Sequence, residues 1–451
     1  KAESCAPTPR HVMASKASSG IHSSTLPKEF HGATNDSRTD APDLTIPSLD
    51  PSKEMIIHGR VYDVSSFVKR HPGGSIIKFQ LGADATDAYN NFHMRSKKAD
   101  KMLHSLPSRP AHADYAQDAL SQDFEKLRLQ LKEEGYFEPN LRHVAYRIIE
   151  VIAMYWAGIQ LIWSGYWFLG AIVAGLAQGR CGWLQHEGGH YSLTGNIKID
   201  RHLQMAIYGL GCGMSGCYWR NQHNKHHATP QKLGTDPDLQ TMPLVAFHKI
   251  IAGQAKGAKG KAWLAWQAPL FFGGIICSLV SFGWQFVLHP KHALRVQNHL
   301  ELAYMALRYV LWHCAFGYLG LLGSLRLYAF YVAVGGTYIF TNFAVSHTHK
   351  DVVPPTKHIS WCLYSANHTT NCTNSPFVNW WMAYLNFQIE HHLFPSMPQY
   401  NHPTIAPRVR ALFEKHGVEY DVRPYLECFR VTYVNLLAVG NPQHSYHTHT
   451  H

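Results

Sequence analysis

The sequence predicts a mainly α-helical protein in which a small α+β domain precedes an integral-membrane helical domain. Hydrophobic residues make up 46% of the 451 residues and charged residues only 16%, against about 25% charged residues in soluble domains. The long apolar runs begin only near residue 146, and the mean hydropathy of the whole chain is −0.20. A substantial water-facing part must therefore accompany the membrane part. Histidine is far above ordinary usage, with 32 residues.

The order of composition along the chain predicts five segments. Residues 1–50 are rich in Ser, Thr and Pro without an apolar period, which is typical of a disordered tail. We expect a small domain over 51–107, a linker with one amphipathic helix over 108–140, and the membrane domain over 141–425. The remaining 426–451 form a His-rich C-terminal tail.

The small domain carries two histidines suited to a flat cofactor. Met55–Val64 alternates like a β-hairpin with Gly59 at its turn, and His71-Pro-Gly-Gly places one imidazole at a tight turn. His93 follows 22 residues later and can face His71 across a haem. Two axial imidazoles leave no open position on iron, which favours electron transfer. The chain has no Cys-x-x-Cys-His, so covalent attachment is excluded. The alternative is a turn with a surface His.

Three further segments place histidines at helical spacing beside the apolar runs. The residues of these boxes are His186 and His190, then His223, His226 and His227, then Gln388, His391 and His392. Spacings of three and four residues put side chains on one helical face. Seven imidazoles exceed the four ligands that a single zinc uses. The pattern therefore favours two iron ions, which imidazole binds well.

Two other classes of protein fit parts of this pattern. His186-Glu-Gly-Gly-His190 matches the His-Glu-x-x-His helix of zinc proteases, with Glu187 as base. A His-rich membrane metal transporter is the alternative outside the enzymes. The protease leaves the other boxes and the haem candidate without a role, and a transporter needs ionisable groups within its spans.

The apolar runs predict about four membrane-spanning helices with all boxes on one side. Two runs lie before the first box, broken at Ser164-Gly165, and a hairpin over 302–345 turns near Arg326. The run 263–288 is expected to return without crossing. The loop 184–262 holds nine Lys and Arg against four Asp and Glu, so it should be cytoplasmic. The net charge of +11 is scattered, and we expect no nucleic-acid partner.

Together these motifs resemble the front-end fatty-acid desaturases that carry a fused cytochrome b5 domain. The resemblance covers roughly residues 53–425, and Gln388-Ile-Glu-His-His392 is its most specific mark. It implies haem b on His71 and His93 and two non-haem irons. The implied iron ligands are His186, His190, His223, His226, His227, His391 and His392, with Gln388 near the metal. His347 is the candidate for a further ligand, and His349 is the competing choice.

The resemblance also implies the reaction. A cis double bond would be inserted between an existing double bond and the carboxyl end of a long polyunsaturated acyl chain. Δ6 and Δ5 are the favoured positions, and Δ8 and Δ4 stay open. O₂ would be the oxidant, and NADH would supply electrons through NADH-cytochrome b5 reductase. The acyl chain would be carried by coenzyme A or a glycerolipid. Sphingoid long-chain-base desaturases share the domain order and are the alternative. The expected location is the endoplasmic reticulum membrane, with the catalytic side cytoplasmic, and a plastid membrane is the alternative.

Overall fold

The computed structural model describes residues 41–441, so the expected N-terminal tail lies largely outside the described residues. The last ten residues of this tail, 41–50, are described, and they contact the rest of the protein. Leu49 is buried, and the Leu44 amide donates to the carbonyl of His358 at 2.8 Å. This segment therefore joins the small domain to the larger one.

The small domain is built on a three-stranded antiparallel sheet in the order β1-β2-β3. The predicted hairpin is present: β1 (Glu54–Ile57) and β2 (Arg60–Asp63) are joined at His58 and Gly59, both with positive φ. β3 (Ser108–Pro110) pairs with β2, although the sequence analysis placed it in the linker. Its three residues are all exposed and carry no alternating pattern. Between the strands lie the 3₁₀ helices Val68–Arg70 and Gly74–Gln80 and the helices α1 (Thr86–His93) and α2 (Lys97–Leu103).

The linker contains the amphipathic helix expected there, α3 (Ala119–Glu133). Asp118 caps its first turn by accepting from the Ser121 amide. Its buried face includes Phe124, Leu127 and Leu131, which join one core cluster with residues near the third box. The linker therefore packs as part of the larger domain.

Four long helices form the apolar part of the protein: α4 (Leu141–Trp163), α5 (Trp167–Gly189), α13 (His299–Phe316) and α14 (Gly320–Ala344). Two stretches of the described residues are long and apolar enough to cross a membrane, Leu141–Trp163 and His299–Ala344. The predicted break between the first two helices lies at Gly165, whose φ is +90°. Large apolar side chains remain exposed on these helices, among them Ile149, Trp156, Trp167, Leu311 and Leu321. Such a belt fits a lipid environment.

The hairpin between α13 and α14 turns earlier than the sequence analysis expected. A single 3₁₀ turn, Gly317–Leu319, separates the helices, and Arg326 lies within α14. Gly320 at φ +69° provides the backbone conformation that the turn needs. In the sequence, this glycine is a weaker signal for the position of the turn than the charge of Arg326. Arg308 in α13 is buried but fully engaged. It donates to the carbonyls of Leu210 and Gly211 and to side chains that include Tyr331.

The run 263–288 forms short helices, in agreement with a segment that does not cross. These are α9 (Gly257–Ala265), α10 (Gln267–Phe272) and α11 (Ile275–Gly283), followed by the π turn Trp284–Leu288 and α12 (His289–Arg295). Gly274, at φ +84°, separates α10 from α11. The polar cap beside them contains α6 (Ile197–Cys212), α7 (Gly216–Ala228), the 3₁₀ helix Pro237–Leu239 and α8 (Lys249–Ala252).

The C-terminal third completes the cap. Its elements are α15 (Trp361–His368), β4 (Asn371–Cys372), α16 (Pro376–Trp381), α17 (Gln388–Leu393), the 3₁₀ helix Gln399–Asn401, α18 (His402–Lys415), β5 (Val422–Arg423) and α19 (Tyr425–Gly440). Helix α19 corrects the boundary of the expected C-terminal tail, because Cys428 and Leu436 bury their side chains in the domain. Only residues 442–451 of that tail lie outside the described residues.

The two domains meet at the helix that carries the second box. The 3₁₀ helix Gly74–Gln80 packs against α7, and Gln80 Nε2 donates to the Ala228 carbonyl at 3.3 Å. Beside this contact lies a cavity of about 40 Å³ lined by both domains, including Asp84, Asp87 and Asp118. One oxygen of the buried Asp87 has no partner among the described residues. Burial, together with the charges of Asp84 and its acidic neighbours, raises the pKa of Asp87 to about 8.

The raised pKa of Asp87 predicts that its deprotonation destabilises the packing between the domains. The folded state holds this proton to higher pH than the unfolded chain, so its contribution to stability is lost as the pH rises towards about 8. We expect Asp87→Asn to raise the thermal unfolding midpoint by several degrees at pH 8 and by much less at pH 5. Thermal scans of the purified protein in detergent check this, with the exposed Asp114→Asn as control. Equal midpoints at pH 8 would contradict the assignment.

Candidate metal centre

The three predicted boxes come together at the polar ends of the long helices. His186 lies on α5 and His190 caps its end, the second box lies on α7, and the third lies on α17. All seven histidines are buried. His227 Nε2 and His223 Nε2 are 3.0 Å apart, and the rings of His186 and His391 have centroids 4.6 Å apart. Segments separated by up to 200 residues therefore share one centre.

The imidazoles divide into two adjacent groups. In each group the candidate ligand atoms lie within 4.8 Å of one another. The first group contains His186, His190, His223, His227 and His391, and the second contains His226, His347 and His392. In the second and third boxes, the two consecutive histidines lie in different groups, one in the first and one in the second. The stacked rings of His227 and His392, at 4.2 Å, join the groups.

The first box depends on close packing beneath α5. A Cβ at Gly189 would lie 2.5 Å from the Trp219 ring and 2.8 Å from Gln204 Nε2, so only glycine fits. Glu187, the base of the protease hypothesis, is turned to other partners. It pairs with Arg147 at 3.4 Å and accepts from the Gln399 amide at 3.2 Å. Both oxygens of the Glu187 carboxylate are therefore engaged in structural contacts, which argues against its role as a base in the protease alternative.

The second box is supported by a carboxylate. His226 Nδ1 lies 3.0 Å from Asp236 Oδ2, which leaves Nε2 for a metal. Backbone amides of Gln231 and Asp238 also donate to Asp236 and fix its carboxylate. Burial disfavours the imidazolium, but Asp236 and Asp238 outweigh it and raise the pKa of His226 to about 9. A metal ion that binds Nε2 must therefore displace the proton there. A carboxylate behind a ligating imidazole sets the ring orientation and makes it a stronger donor.

The third box is held from behind by a buried polar network. The Ile389 amide donates to Asn371 Oδ1 at 2.9 Å, and Asn371 Nδ2 donates to Glu390 Oε2 at 2.8 Å. The Tyr420 hydroxyl donates to Glu390 Oε1 at 2.5 Å. Burial raises the pKa of Glu390 to about 7. Because α17 has only six residues, these contacts orient it more than its own backbone bonds do.

The remaining candidates are placed differently from one another. His347 lies in the second group, and its Nδ1 donates to the His368 carbonyl at 3.2 Å, which leaves Nε2 for a metal. His349 lies in neither group and bonds Thr370 Oγ1 at 3.1 Å. Gln388 is buried beside the third box, and its amide oxygen has no partner among the described residues.

The donors present fit two metal ions. Burial lowers the pKa of His223, His227, His391 and His392 well below the usual value, so these rings are neutral, the form that binds metal. Nitrogens of His186, His190, His227, His391 and His392 are buried without a partner among the described residues. Unpaired buried polar atoms are costly, and metal ions would satisfy them. Eight imidazoles in two groups exceed what one ion can bind.

The small domain offers a second kind of metal site. His71 Nδ1 donates to the Gly74 carbonyl at 3.1 Å, and His93 Nδ1 to the Tyr89 carbonyl at 3.0 Å, which leaves both Nε2 atoms for a metal. The ring centroids are 6.2 Å apart. Two metal–nitrogen bonds of about 2 Å and two ring radii sum to about 6 Å. Burial lowers the pKa of His93 to about 4 and keeps it neutral. The pair fits an iron held between two imidazoles.

The long apolar helices, the two buried histidine groups and the fused domain with its two-histidine site are together typical of one class of protein. This is the class of di-metal oxidoreductases with an attached electron carrier. Comparisons identify the family. Residues 161–424 match the fatty acid desaturase family, and residues 50–109 match the cytochrome b5-like haem/steroid-binding domain. The chain belongs to the fatty acid desaturase family, in its front-end branch with a fused cytochrome b5 domain. It is therefore an oxidoreductase enzyme of a membrane-bound family, which excludes the transporter and protease alternatives.

Curated relatives share nearly the whole chain. An acyl-lipid (8-3)-desaturase of Rebecca salina is 58% identical over 87% of this chain and 93% of its own length. A protein of the same name from Thraustochytrium sp is 43% identical over 91% of this chain and 98% of its own. Fatty acid desaturase 3 of Bos taurus is 30% identical over 84% and 88%. The cytochrome b5 match implies haem, and the histidine groups suggest two irons.

Sequence reasoning missed the residues that support the ligands. Asp236, Asn371 and Gln399 contact the boxes but match no metal-binding spacing. Asp236 follows His226 by ten residues in a loop, and Gln399 follows His392 by seven. A carboxylate shortly after a His box was the one available signal.

The haem assignment predicts the effect of removing either axial imidazole. We expect His71→Ala and His93→Ala each to abolish the low-spin b-type spectrum, because each removes one of two iron ligands. Absorption spectra of the reduced purified proteins check this, with the exposed His104→Ala as control. Non-haem iron should remain, since its ligands lie in the other domain. A normal reduced spectrum in either variant would contradict the assignment.

The Asp236–His226 pair predicts a loss of metal affinity in Asp236→Asn. The neutral amide keeps the shape of the carboxylate but removes the charge that strengthens the imidazole. Changes in such supporting residues cost about 10–100-fold in metal affinity. We expect iron to be lost to a competing chelator at concentrations at least tenfold lower than for wild type. Iron retention equal to that of Asp114→Asn would show that Asp236 does not support the site.

Proposed function

We propose that this enzyme is a Δ5 front-end desaturase acting on acyl chains of membrane glycerolipids. It would insert a cis double bond at carbon 5 of a chain whose first existing double bond begins at carbon 8. O₂ would be the oxidant, and electrons would come from NADH through a cytochrome b5 reductase and the fused haem domain. This selects Δ5 from the four positions, Δ6, Δ5, Δ8 and Δ4, that the sequence left open.

The observation that carries the regiochemistry is the similarity to two acyl-lipid (8-3)-desaturases over nearly their whole lengths. We take their name to describe a new bond three carbons from a double bond at carbon 8, on the carboxyl side. The same name favours a glycerolipid over coenzyme A as the acyl carrier. The sphingoid-base alternative has no comparable support.

We propose that His186, His190, His223, His227 and His391 bind one iron and that His226, His347 and His392 bind the other. The support is their division into two groups of close nitrogen atoms. Bound iron would supply the oxidising power to remove two hydrogens from adjacent methylenes, which acid–base side chains cannot do. The histidines hold the ions, and their burial keeps bulk water from the reaction. Gln388, with its unpartnered amide oxygen beside the third box, would bind a water near the metal.

Electron delivery is supported by the contact between the domains. His71 bonds the Gly74 carbonyl, and a Cβ at Gly74 would lie 3.7 Å from Asn221 Nδ2. Asn221 precedes His223 by two residues on α7. Gly74 and Asn221 thus lie between the haem ligand His71 and the metal ligand His223. Fusion also raises the effective concentration of the carrier at the iron site.

The proposed location is the endoplasmic reticulum membrane, with the metal centre on the cytoplasmic side. The support is the exposed apolar belt on the long helices, together with the excess of Lys and Arg in 184–262. A reductase in the cytoplasm would then reach the haem domain.

A feeding experiment tests the proposed function. Yeast without polyunsaturated fatty acids would express the wild type and receive chains with their first double bond at carbon 8 or at carbon 9, or a sphingoid base. We expect a new bond at carbon 5 in the first substrate, appearing first in glycerolipids under a pulse label. The purified protein should contain close to two irons beyond haem, as the two histidine groups require.

His391→Ala is the matched inactive control, because it removes a ligand of the first group and should leave the haem spectrum intact. Conversion only of the chain unsaturated at carbon 9 would overturn the Δ5 proposal in favour of Δ6. Conversion only of the sphingoid base would favour the other alternative, and label appearing first in coenzyme A esters would overturn the glycerolipid carrier.

A further inference from the structure

Another histidine lies against the first metal group without belonging to it. His402 is the first residue of α18, follows the third box by ten positions and is fully buried. Neither Nδ1 nor Nε2 has a partner among the described residues. Its ring centroid is 6.1 Å from that of His391. A buried imidazole with two unpaired nitrogens needs a partner that protein atoms of this region do not supply.

His391 has the complementary need. Both of its nitrogens are buried without a partner among the described residues. When one of them binds a metal, the other carries a proton and must donate it. Ligating imidazoles nearly always make such a second bond. His226 has Asp236 for this purpose and His347 has the His368 carbonyl, whereas His391 faces His402.

The spacing of the two rings fits one intervening water. At a centroid separation of 6.1 Å, facing nitrogens approach to no less than about 3.9 Å, which exceeds the roughly 3 Å of a direct hydrogen bond. A single water can accept from His391 and donate to His402, and bridging waters of this kind are ordinary in buried sites. One water therefore satisfies a nitrogen on each ring.

The same turn of chain already supports another ligand of this group. Gln399 lies 2.8 Å from His186 Nδ1, while its amide oxygen has no partner among the described residues. If His186 Nε2 binds metal, Nδ1 carries the proton, and rotation of the Gln399 amide by a half turn presents its oxygen as acceptor. Segment 399–402 therefore presents two polar side chains to two ligands of the first group.

We propose that His402 is a positioning residue of the first metal site, holding His391 in its ligating orientation through one bridging water. The inference rests on the proposed metal centre and adds a residue outside the three boxes. His402 binds no metal itself. It holds the water that accepts the outer N–H of His391, and Gln399 accepts the corresponding proton of His186.

The rate of iron loss tests this role without reference to turnover. His402→Phe keeps the bulk of the ring and removes both nitrogens, whereas His402→Gln retains a donor and an acceptor. We expect non-haem iron to leave His402→Phe about tenfold faster than wild type in a ferrous chelator. His402→Gln should release iron within twofold of wild type. His416→Phe, at the other end of α18, is the control.

Each outcome bears on the inference. The haem spectrum and thermal midpoint of the full-length protein in detergent show that each variant is folded. Wild-type release from folded His402→Phe would overturn the role of His402 alone. Rapid loss from both His402→Phe and His402→Gln would indicate direct ligation and overturn the bridging water. An iron-free wild type would remove the proposed function and this inference together.

Discussion

Eight imidazoles buried against one another are the constraint on which the rest of the protein depends. Five of these rings have buried nitrogens without a partner among the described residues, which is unfavourable in a protein interior unless metal ions bind them. The helices that carry them must therefore end at one place and in fixed rotations. The glycines beneath the first box and the short α17 follow from this, because close approach matters more there than helix propensity.

The rings are oriented by groups from outside the boxes. His226 relies on a carboxylate, His347 on a backbone carbonyl and His186 on an amide. Each of these partners lies on a different segment of the cap: Asp236 is in a loop, His368 ends α15, and Gln399 begins a 3₁₀ helix. These segments of the cap therefore orient the imidazoles, which the long helices only bring close together. Because the supports are independent, a change in one should disturb one ligand while the fold persists.

The haem domain is an integral part of this arrangement. Its 3₁₀ helix Gly74–Gln80 packs directly on α7, so the element beside His71 touches the element that carries the second box. The acidic cavity at the junction makes the contact sensitive to charge. The haem domain thus contacts the domain of the metal centre within one chain, whereas a separate carrier would have to find that contact by diffusion.

The amino-acid sequence was enough to predict the two-domain order, the hairpin at Gly59, the amphipathic helix α3, the break at Gly165 and the histidines that meet at the centre. These depend on local spacing, turn residues and composition, which are read within a few residues. It placed the hairpin turn near Arg326 and ended the domain before α19. Arg308 is buried and donates to backbone carbonyls of another helix, and α19 is stabilised by packing against distant residues. Neither feature leaves a local pattern in the sequence.

The division of the imidazoles between the two groups, and the residues that support them, depend on the folded protein as a whole. The sequence favoured His347 over His349 as a further ligand, and the structure places His347 in the second group and His349 against Thr370. Asp236, Gln399 and His402 approach the site from three different segments, whose positions are set by packing across the whole domain. Hydrogen bonds between residues far apart in the chain require no shared spacing, so the sequence contains the partners without revealing the pairs.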